Sequence, residues 1–584
     1  MKRSMPSVPT VMLHGRRYRR LCLLVLFLLS LLTLSSFLQA WRSSELSKIV
    51  INSLLESQRE ESLTGLRFAE KKCSEYFRTL SSLDNEWETR SFGDAHTPLF
   101  SRRHVLESVR HMRVFGQCFI QNSSPYGDLN IRKIEDRLFP TFTGILPTFR
   151  RWDGLTIEGF PAADGVLNSG PPISSDFSFW KQVKGKMKGR GLVISVSDSC
   201  VSDAKRLLRV LRALHNELPI QLVHKGDLSD NSMQELIKVG RDTISIEMND
   251  TNYELGYPQE LWFVDAEKSV GPEFSPLFKR YSNKWIATLF NSFEEMIFLD
   301  VDAVLFVKPS SFFNKDGYRE TDAFFFRDRL IDEHITRREL SYLKRLLPSK
   351  IEASIFDFDT GEAMMKHSDV FQSRYKHVAE TGIFVLKRPN HIPGLLISTA
   401  LNLWKETNEI FHGEKELFWL GQSIAGTDQY RFSKNPAGAS GILTRNDKKK
   451  ITYTCSAQPA HFDDNNKLLW LNGGARYCKW KSWASDFAKQ KSLREAYSCA
   501  EDLIELYATP IKVNGAVIPA RSDLSLLQKA LGQKSGFQKC EALGCSGYQW
   551  CAYNRDDRAT GKTLEFTQAE VSHFQFIVNV WNVD

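Results

Sequence analysis

Two carboxylates one residue apart, Asp300 and Asp302, close an apolar run, Met296-Ile297-Phe298-Leu299. Alternate residues of a strand point the same way, so the two acids would share a face where the strand gives way to a loop. Left alone they repel and raise one another's pKa. A hard divalent cation, Mn2+ or Mg2+, relieves that conflict by taking oxygen ligands from one or two carboxylates and from a substrate's phosphates. The chemistry expected is therefore metal-assisted handling of a phosphorylated substrate, at the strand ends where α/β sheets bind ligands. For the tripeptide alone, two solvated acids at a strand terminus is the plain alternative. The preceding residues argue against it: Trp285, Ile286, Leu289, Phe290 and Phe293 mark one face of a helix that carries Lys284.

These residues need a sheet to hold them, and its first strands are readable from Arg190 onward. Gly191 to Val196 is a short apolar strand, and Ser202-Asp203 could cap a helix with apolar positions 207, 208, 210, 211 and 214. Pro219 stops that helix and Ile220-Gln221-Leu222-Val223 is the next strand, which completes a βαβ unit of a parallel sheet. The loop after Ser195 is then a seat for a nucleotide. Arg206 and Arg209 on the helix read as a solvated basic face.

The chain has 584 residues, enough for more than one unit, with the 42% hydrophobic and 25% charged content of a globular protein. Its formal charge of +8 is concentrated at the N-terminus, where Lys2, Arg3, Arg16, Arg17, Arg19 and Arg20 face no acid. The remainder is close to neutral, and nothing in it argues for nucleic acid. Leu21 to Leu38 has no charged residue and is long enough to span a bilayer, with Trp41 and Arg42 as interfacial anchors. A retained signal anchor fits better than a cleaved leader, because Gln39-Ala40-Trp41 is a poor cleavage site. Residues 1–20 would stay cytosolic, residues 21–41 would cross the membrane, and the rest would be lumenal. The short span suits a thin membrane early in the secretory route, which points to the Golgi.

Residues 42–189 read as a stem and pre-catalytic region, with an extra helical subdomain packed on the core as the alternative. Asn122-Ser123-Ser124 and Asn249-Asp250-Thr251 are glycosylation sequons in a lumenal chain, at Asn122 and Asn249. Residues 190–480 form the catalytic unit, and residues 481–584 form a cysteine-containing extension packed on it. An oxidising lumen makes disulfides the better reading for Cys455, Cys478, Cys499, Cys540, Cys545 and Cys551 than zinc. Nine lumenal cysteines leave one over, and Cys73 is assigned to a bridge joining two copies through the stem. The aromatic-rich end, Trp550, Tyr553, Phe574, Phe576 and Trp581, reads as core rather than as a sugar-stacking platform.

The order of these pieces resembles a GT-A glycosyltransferase, a Rossmann-like nucleotide-sugar-binding α/β fold. More closely it resembles the fungal Golgi α-1,3-mannosyltransferase family. The likeness rests on Tyr281-Ser282-Asn283-Lys284-Trp285, Asn291-Ser292-Phe293-Glu294-Glu295 and Phe298-Leu299-Asp300-Val301-Asp302. It continues through Phe326-Arg327-Asp328-Arg329, Glu380-Thr381-Gly382, Gly413-Glu414-Lys415, His461-Phe462 and Trp470-Leu471-Asn472-Gly473-Gly474. The resemblance implies a configuration-retaining transfer of mannose from GDP-mannose to mannose-terminated glycans of glycoproteins at the Golgi membrane. It implies a metal site of Asp300, Asp302 and His461, and a donor site that includes Ser195, Lys284, Asp300 and Lys467. Thr381, Gly382, Lys415 and Trp470 would bind acceptor or sugar. Glu414 is the candidate nucleophile, although relatives carry the shorter Asp there, and Glu380 is a second catalytic carboxylate.

Two other classes compete. Asp300-Val301-Asp302-Ala303-Val304 satisfies the DxDx[TV] phosphatase signature, but that superfamily opens its core with this strand, and here a βαβ unit comes first. A non-catalytic lumenal lectin on a decayed transferase fold would have little reason to keep both aspartates and His461. Within the favoured class, an α-1,2 linkage or a UDP-sugar donor would use the same strand and metal site.

Overall fold

The computed structural model describes residues 48–59, 67–89, 98–161, 173–248, 251–520, 536–540, 544–555 and 561–583. The predicted membrane span at 21–38 and the sequon residue Asn249 lie outside these residues; among the described residues no helix is long and apolar enough to cross a membrane. Asn122 is exposed, at the end of a short helix (Gly116–Gln121).

The helices that bear on the site are α1 (Arg67–Leu83), α2 (Pro98–Phe115), α3 (Val201–Ala213), α4 (Asn283–Leu289), α5 (Ile392–Leu403), α6 (Lys415–Ala425) and α7 (Gln568–Asn582). The strands are β1 (Thr148–Arg151), β2 (Thr156–Glu158), β3 (Arg190–Ser195), β4 (Ile220–His224), β5 (Leu261–Asp265), β6 (Glu295–Leu299), β7 (Ala303–Leu305), β8 (Ala323–Arg327), β9 (Ala379–Lys387) and β10 (Arg431–Phe432). After them come β11 (Gly438–Gly441), β12 (Pro459–Phe462), β13 (Leu468–Asn472), β14 (Gly515–Ile518) and β15 (Lys562–Glu565). Among the described residues the largest sheet has nine strands, in the order β10-β8-β9-β6-β3-β4-β5-β1-β2. Its centre, β6-β3-β4-β5, is parallel.

The chain lays β3, β4 and β5 outward in one direction and then returns to put β6 on the other side of β3. The direction of winding therefore reverses between β3 and β6, and ligands of open α/β sheets bind in the crevice at such a reversal. Ile194 pairs with Leu299, so Ser195 and Asp300 emerge side by side there. Met296 to Leu299 are fully buried because β6 is central and covered on both faces, which is why this strand is continuously apolar rather than alternating. Burial of each such side chain contributes roughly 1.5–3 kcal/mol.

The turn that feeds β6 is pinned. The Asn291 side-chain amide donates to the Ala287 and Thr288 carbonyls left over at the end of α4. The buried Arg388 guanidinium donates to the carbonyls of Leu289, Asn291 and Phe293.

Three expectations about organisation are corrected. Over their described part, residues 42–189 fit the alternative of a helical subdomain packed on the core rather than a stem: Phe77, Leu80, Val109 and Phe115 belong to the same core as Trp285, Phe290 and Phe384, and β1 pairs with β5. Cys73 is not available to a second copy, because it is bonded to Cys118. Arg206 and Arg209 are not solvated; α7 packs on α3, and they donate to the carbonyls of Trp581 and Val583 at its end. Both were misread because a basic helix face looks the same whether water or another helix covers it.

The C-terminal extension is part of the same body. β14 and β15 join the second sheet, ordered β15-β14-β11-β12-β13-β7, and Phe574 and Trp581 are core as expected. The pairs Cys455–Cys551 and Cys478–Cys545 hold the extension to the catalytic unit, while Cys200 and Cys499 remain thiols.

Candidate active site

Three lysines and five carboxylates meet at the β3/β6 crevice. Lys284, buried at the start of α4, lies 2.8 Å from Asp300 Oδ2 and 2.7 Å from Glu414 Oε1. Lys415, the first residue of α6, lies 2.8 Å from Glu380 Oε2 and 3.1 Å from Asp328 Oδ2. Lys479 lies 3.0 Å from Asp302 Oδ2. Asp300, Asp302, Lys415 and Lys479 are part-exposed and face the opening, whereas Glu414 and Glu380 are sealed beneath.

A β-bulge brings the β9 residues in. Phe325 pairs with Phe384 but its neighbour Phe326 pairs with Glu380, so Thr381, Gly382 and Ile383 are extra residues on β9. The Gly382 carbonyl accepts from the Asp300 backbone N–H at 2.8 Å. A side chain at Gly382 would meet the Trp470 ring at 2.9 Å, which explains the glycine. Thr381 is buried, and its hydroxyl donates to Glu414 Oε1 at 3.2 Å. From the other side, the Gly473 and Gly474 N–H groups donate to the Asp302 carbonyl and fix the loop after β6.

Burial opposes the charge on Asp300, Lys284, Glu380 and Lys479, and their partners answer it. Burial pushes Asp300 up to about 7; Lys284 pulls it down and Asp302 adds to the rise. Burial likewise works against the Lys284 ammonium, but Asp300 and Glu414 outweigh it and raise its pKa. Glu380 would be raised by burial, yet Lys415 holds it well below the usual carboxylate range. Lys479 loses solvation and is nonetheless raised by Asp302. With Arg329 counted beside Asp328, the crevice brings four cations to five carboxylates.

This donor set suits a hard divalent ion. Asp300 and Asp302 offer carboxylate oxygens at the mouth, and the Asn472 Oδ1 at the end of β13 is buried without a hydrogen-bond partner among the described residues. His461 does not gather with Asp300 and Asp302 within 4.8 Å, although its buried Nε2 also has no hydrogen-bond partner among the described residues. Its charged neighbours are Glu380, Asp328, Lys415 and Arg329, burial lowers its pKa to about 4, and its ring stacks on Trp470 at 4.0 Å. Among the described residues the only three ligand-bearing side chains that gather within 4.8 Å are Cys455, Cys540 and Cys551, two of them in a disulfide.

Of the residues singled out in the sequence, Ser195, Lys284, Asp300, Asp302, Glu380, Thr381, Gly382, Glu414 and Lys415 converge. Lys467 does not: it is exposed on the turn after β12, where its backbone N–H bonds Asp463. Trp470 does not offer a sugar-binding face either, being fully buried between His461 and Phe326. Sequence reasoning missed Asp328, Lys479 and Asn472. Lys479 carried one usable signal, a cation between a cysteine and a tryptophan just beyond Gly473-Gly474.

Comparison with known proteins defines the class first: the chain is a glycosyltransferase, and residues 189–463 match the family described as "Mannosyltransferase putative". The chain is 32% identical over 519 residues to "Alpha-1,3-mannosyltransferase MNT2" of Saccharomyces cerevisiae, covering 82% of this chain and 87% of that one. It is 30% identical over 535 residues to "Probable alpha-1,3-mannosyltransferase MNT4" of the same organism, covering 85% and 87%. The chain belongs to the fungal α-1,3-mannosyltransferase family. The likeness to these two relatives covers 82% and 85% of this chain.

Proposed function

We propose that this protein transfers mannose from GDP-mannose to a terminal mannose of N- or O-linked glycans, forming an α-1,3 linkage with retention of configuration, on a GT-A catalytic domain. The observation that carries the reading is the convergence of Lys284, Lys415 and Lys479 with the Asp300/Asp302 pair at the reversal point of a parallel sheet. A nucleoside diphosphate leaving group develops negative charge as it departs, and fixed cations in a partly dry site stabilise that charge. Asp300, Asp302 and the Asn472 amide oxygen are the groups that would hold Mn2+ or Mg2+, which would neutralise the diphosphate.

Glu414 and Glu380 are both buried and both capped by a lysine, Glu414 with 1% of its surface exposed. Neither presents a bare carboxylate to the anomeric carbon. That favours entry of the acceptor hydroxyl on the leaving group's own face. The bond from C1 to the phosphate oxygen breaks, the bond from the acceptor oxygen to C1 forms, and the hydroxyl proton leaves on the departing phosphate. Glu414 then acts by fixing Lys284, and Glu380 by fixing Lys415.

The test is incubation of the purified protein with manganese, an α-mannobiose acceptor and, in turn, GDP-mannose, UDP-galactose and UDP-N-acetylglucosamine, followed by linkage analysis. Transfer from GDP-mannose alone, giving an α-1,3 product and lost in Asp302→Ala, is the expected result. Transfer from a UDP-sugar would overturn the donor, and an α-1,2 product the linkage. We also propose a type II orientation in the Golgi membrane; protection of the chain from protease added outside sealed Golgi vesicles is expected, and digestion there would refute it.

A further inference from the structure

We propose that Trp480, Tyr548, Trp550 and Arg329 form the subsite that binds the acceptor mannose, an inference that rests on the mannosyl-transfer reading above. Trp480 and Tyr548 come from opposite sides of the Cys478–Cys545 disulfide, and their rings meet with centroids 4.6 Å apart. Trp480 leaves 46% of its surface exposed, unusual for a large aromatic residue next to a disulfide-clamped core. The Arg329 guanidinium lies over both the Tyr548 ring at 5.5 Å and the Trp550 ring at 5.4 Å, and it donates to the Tyr548 hydroxyl at 3.1 Å.

The cluster is joined to the reacting centre on both sides. Trp480 follows Lys479, whose ammonium pairs with Asp302. Arg329 follows Asp328, whose carboxylate pairs with Lys415 and through it with Glu380. The platform therefore borders the mouth of the carboxylate–lysine crevice.

Its chemistry suits a pyranose. One face of a hexose ring is a patch of C–H groups that stacks on aromatic rings, and its rim of hydroxyls needs hydrogen-bond partners. Arg329 Nη1 and the Trp550 indole Nε1 are buried without a hydrogen-bond partner among the described residues. Buried donors left unpaired cost about 1–3 kcal/mol each, so they mark a place where a ligand or water completes the structure. Trp550, expected from the sequence to be core, thus becomes part of a sugar site, because the extension folds back over the catalytic unit.

The experiment measures steady-state kinetics with manganese, GDP-mannose and α-mannobiose for the wild type, Trp480→Ala, Tyr548→Ala and Tyr548→Phe. The expected result is an acceptor KM raised about 10-fold or more in both alanine variants, with the donor KM and GDP binding within about twofold of wild type. Tyr548→Phe, which keeps the ring and loses the hydroxyl, is expected to fall between them and the wild type. An unchanged acceptor KM in both alanine variants, or a parallel rise in donor KM, would overturn the subsite. Failure of the wild type to use GDP-mannose at all would instead strike the parent reading, and the two failures are read from different proteins.

Discussion

Replacing Lys284 by Met removes the cation that lies between part-exposed Asp300 and buried Glu414 and keeps the side chain's length. In the native protein the ammonium sits 2.8 Å from Asp300 and 2.7 Å from Glu414, and the Thr381 hydroxyl donates to Glu414 at 3.2 Å. Breaking a buried ion pair by removing one partner costs roughly 3–5 kcal/mol, because the remaining charge stays buried. The pH dependence follows from the shifts. The raised pKa of Lys284 means its contribution is fully present below the unfolded lysine value of about 10.4 and is lost only as the pH rises past it, so at neutral pH the native protein has all of it. Asp300, which burial already pushes up to about 7, loses in the variant the cation that pulls it down and prefers its proton still more in the folded state. The variant's stability is then greatest below about pH 4 and falls as the pH rises from there toward 7. The gap between native protein and variant therefore narrows on acidification. Urea unfolding of both purified proteins at pH 7.5 and pH 5 measures it. A deficit under about 1 kcal/mol at pH 7.5, or one equally large at pH 5, would show that Lys284 does not compensate these acids and would refute the reasoning.

Cys73→Ser should leave the protein's size on a non-reducing gel unchanged and lower its stability by about 4 kcal/mol, since the bond closes a 45-residue loop; a disulfide-linked dimer of the unmutated chain would contradict the pairing with Cys118. Gly382→Ala should lower kcat, because the new Cβ would stand 2.9 Å from Trp470 and shift the carbonyl that receives the Asp300 N–H, at an overpacking cost of about 1–3 kcal/mol; wild-type kinetics would count against the bulge as a positioning device. His461→Phe should keep the stack on Trp470 and leave the manganese requirement of transfer unchanged. Because burial holds the folded-state histidine down to about 4, its neutral form stabilises above about pH 6.5 and that contribution is lost as the pH falls toward 4, so the variant should lose less stability over that window, by up to roughly 3 kcal/mol. A sharply higher manganese requirement would restore His461 to the metal set.

What the sequence determined by itself was local. The helix–turn–strand from Lys284 to Leu299 was legible because its apolar spacing changes from one helical face to a continuous run, and the acids follow at the strand's carboxyl end. The βαβ unit before it was legible for the same reason. Tertiary structure alone decided which charges meet. Glu380 reaches the site through a bulge in a strand, Lys415 through the start of a helix, and Lys479 and Tyr548 through a disulfide that closes a 67-residue separation. None of these has a periodicity that names its partner. The same limit explains the errors: Arg206 and Arg209 sit on a face that α7 buries, and Cys73 needed a partner 45 residues away. Periodicity records which side of an element is buried; the identity of what buries it is a long-range contact, and its energy is written in no single stretch of the chain.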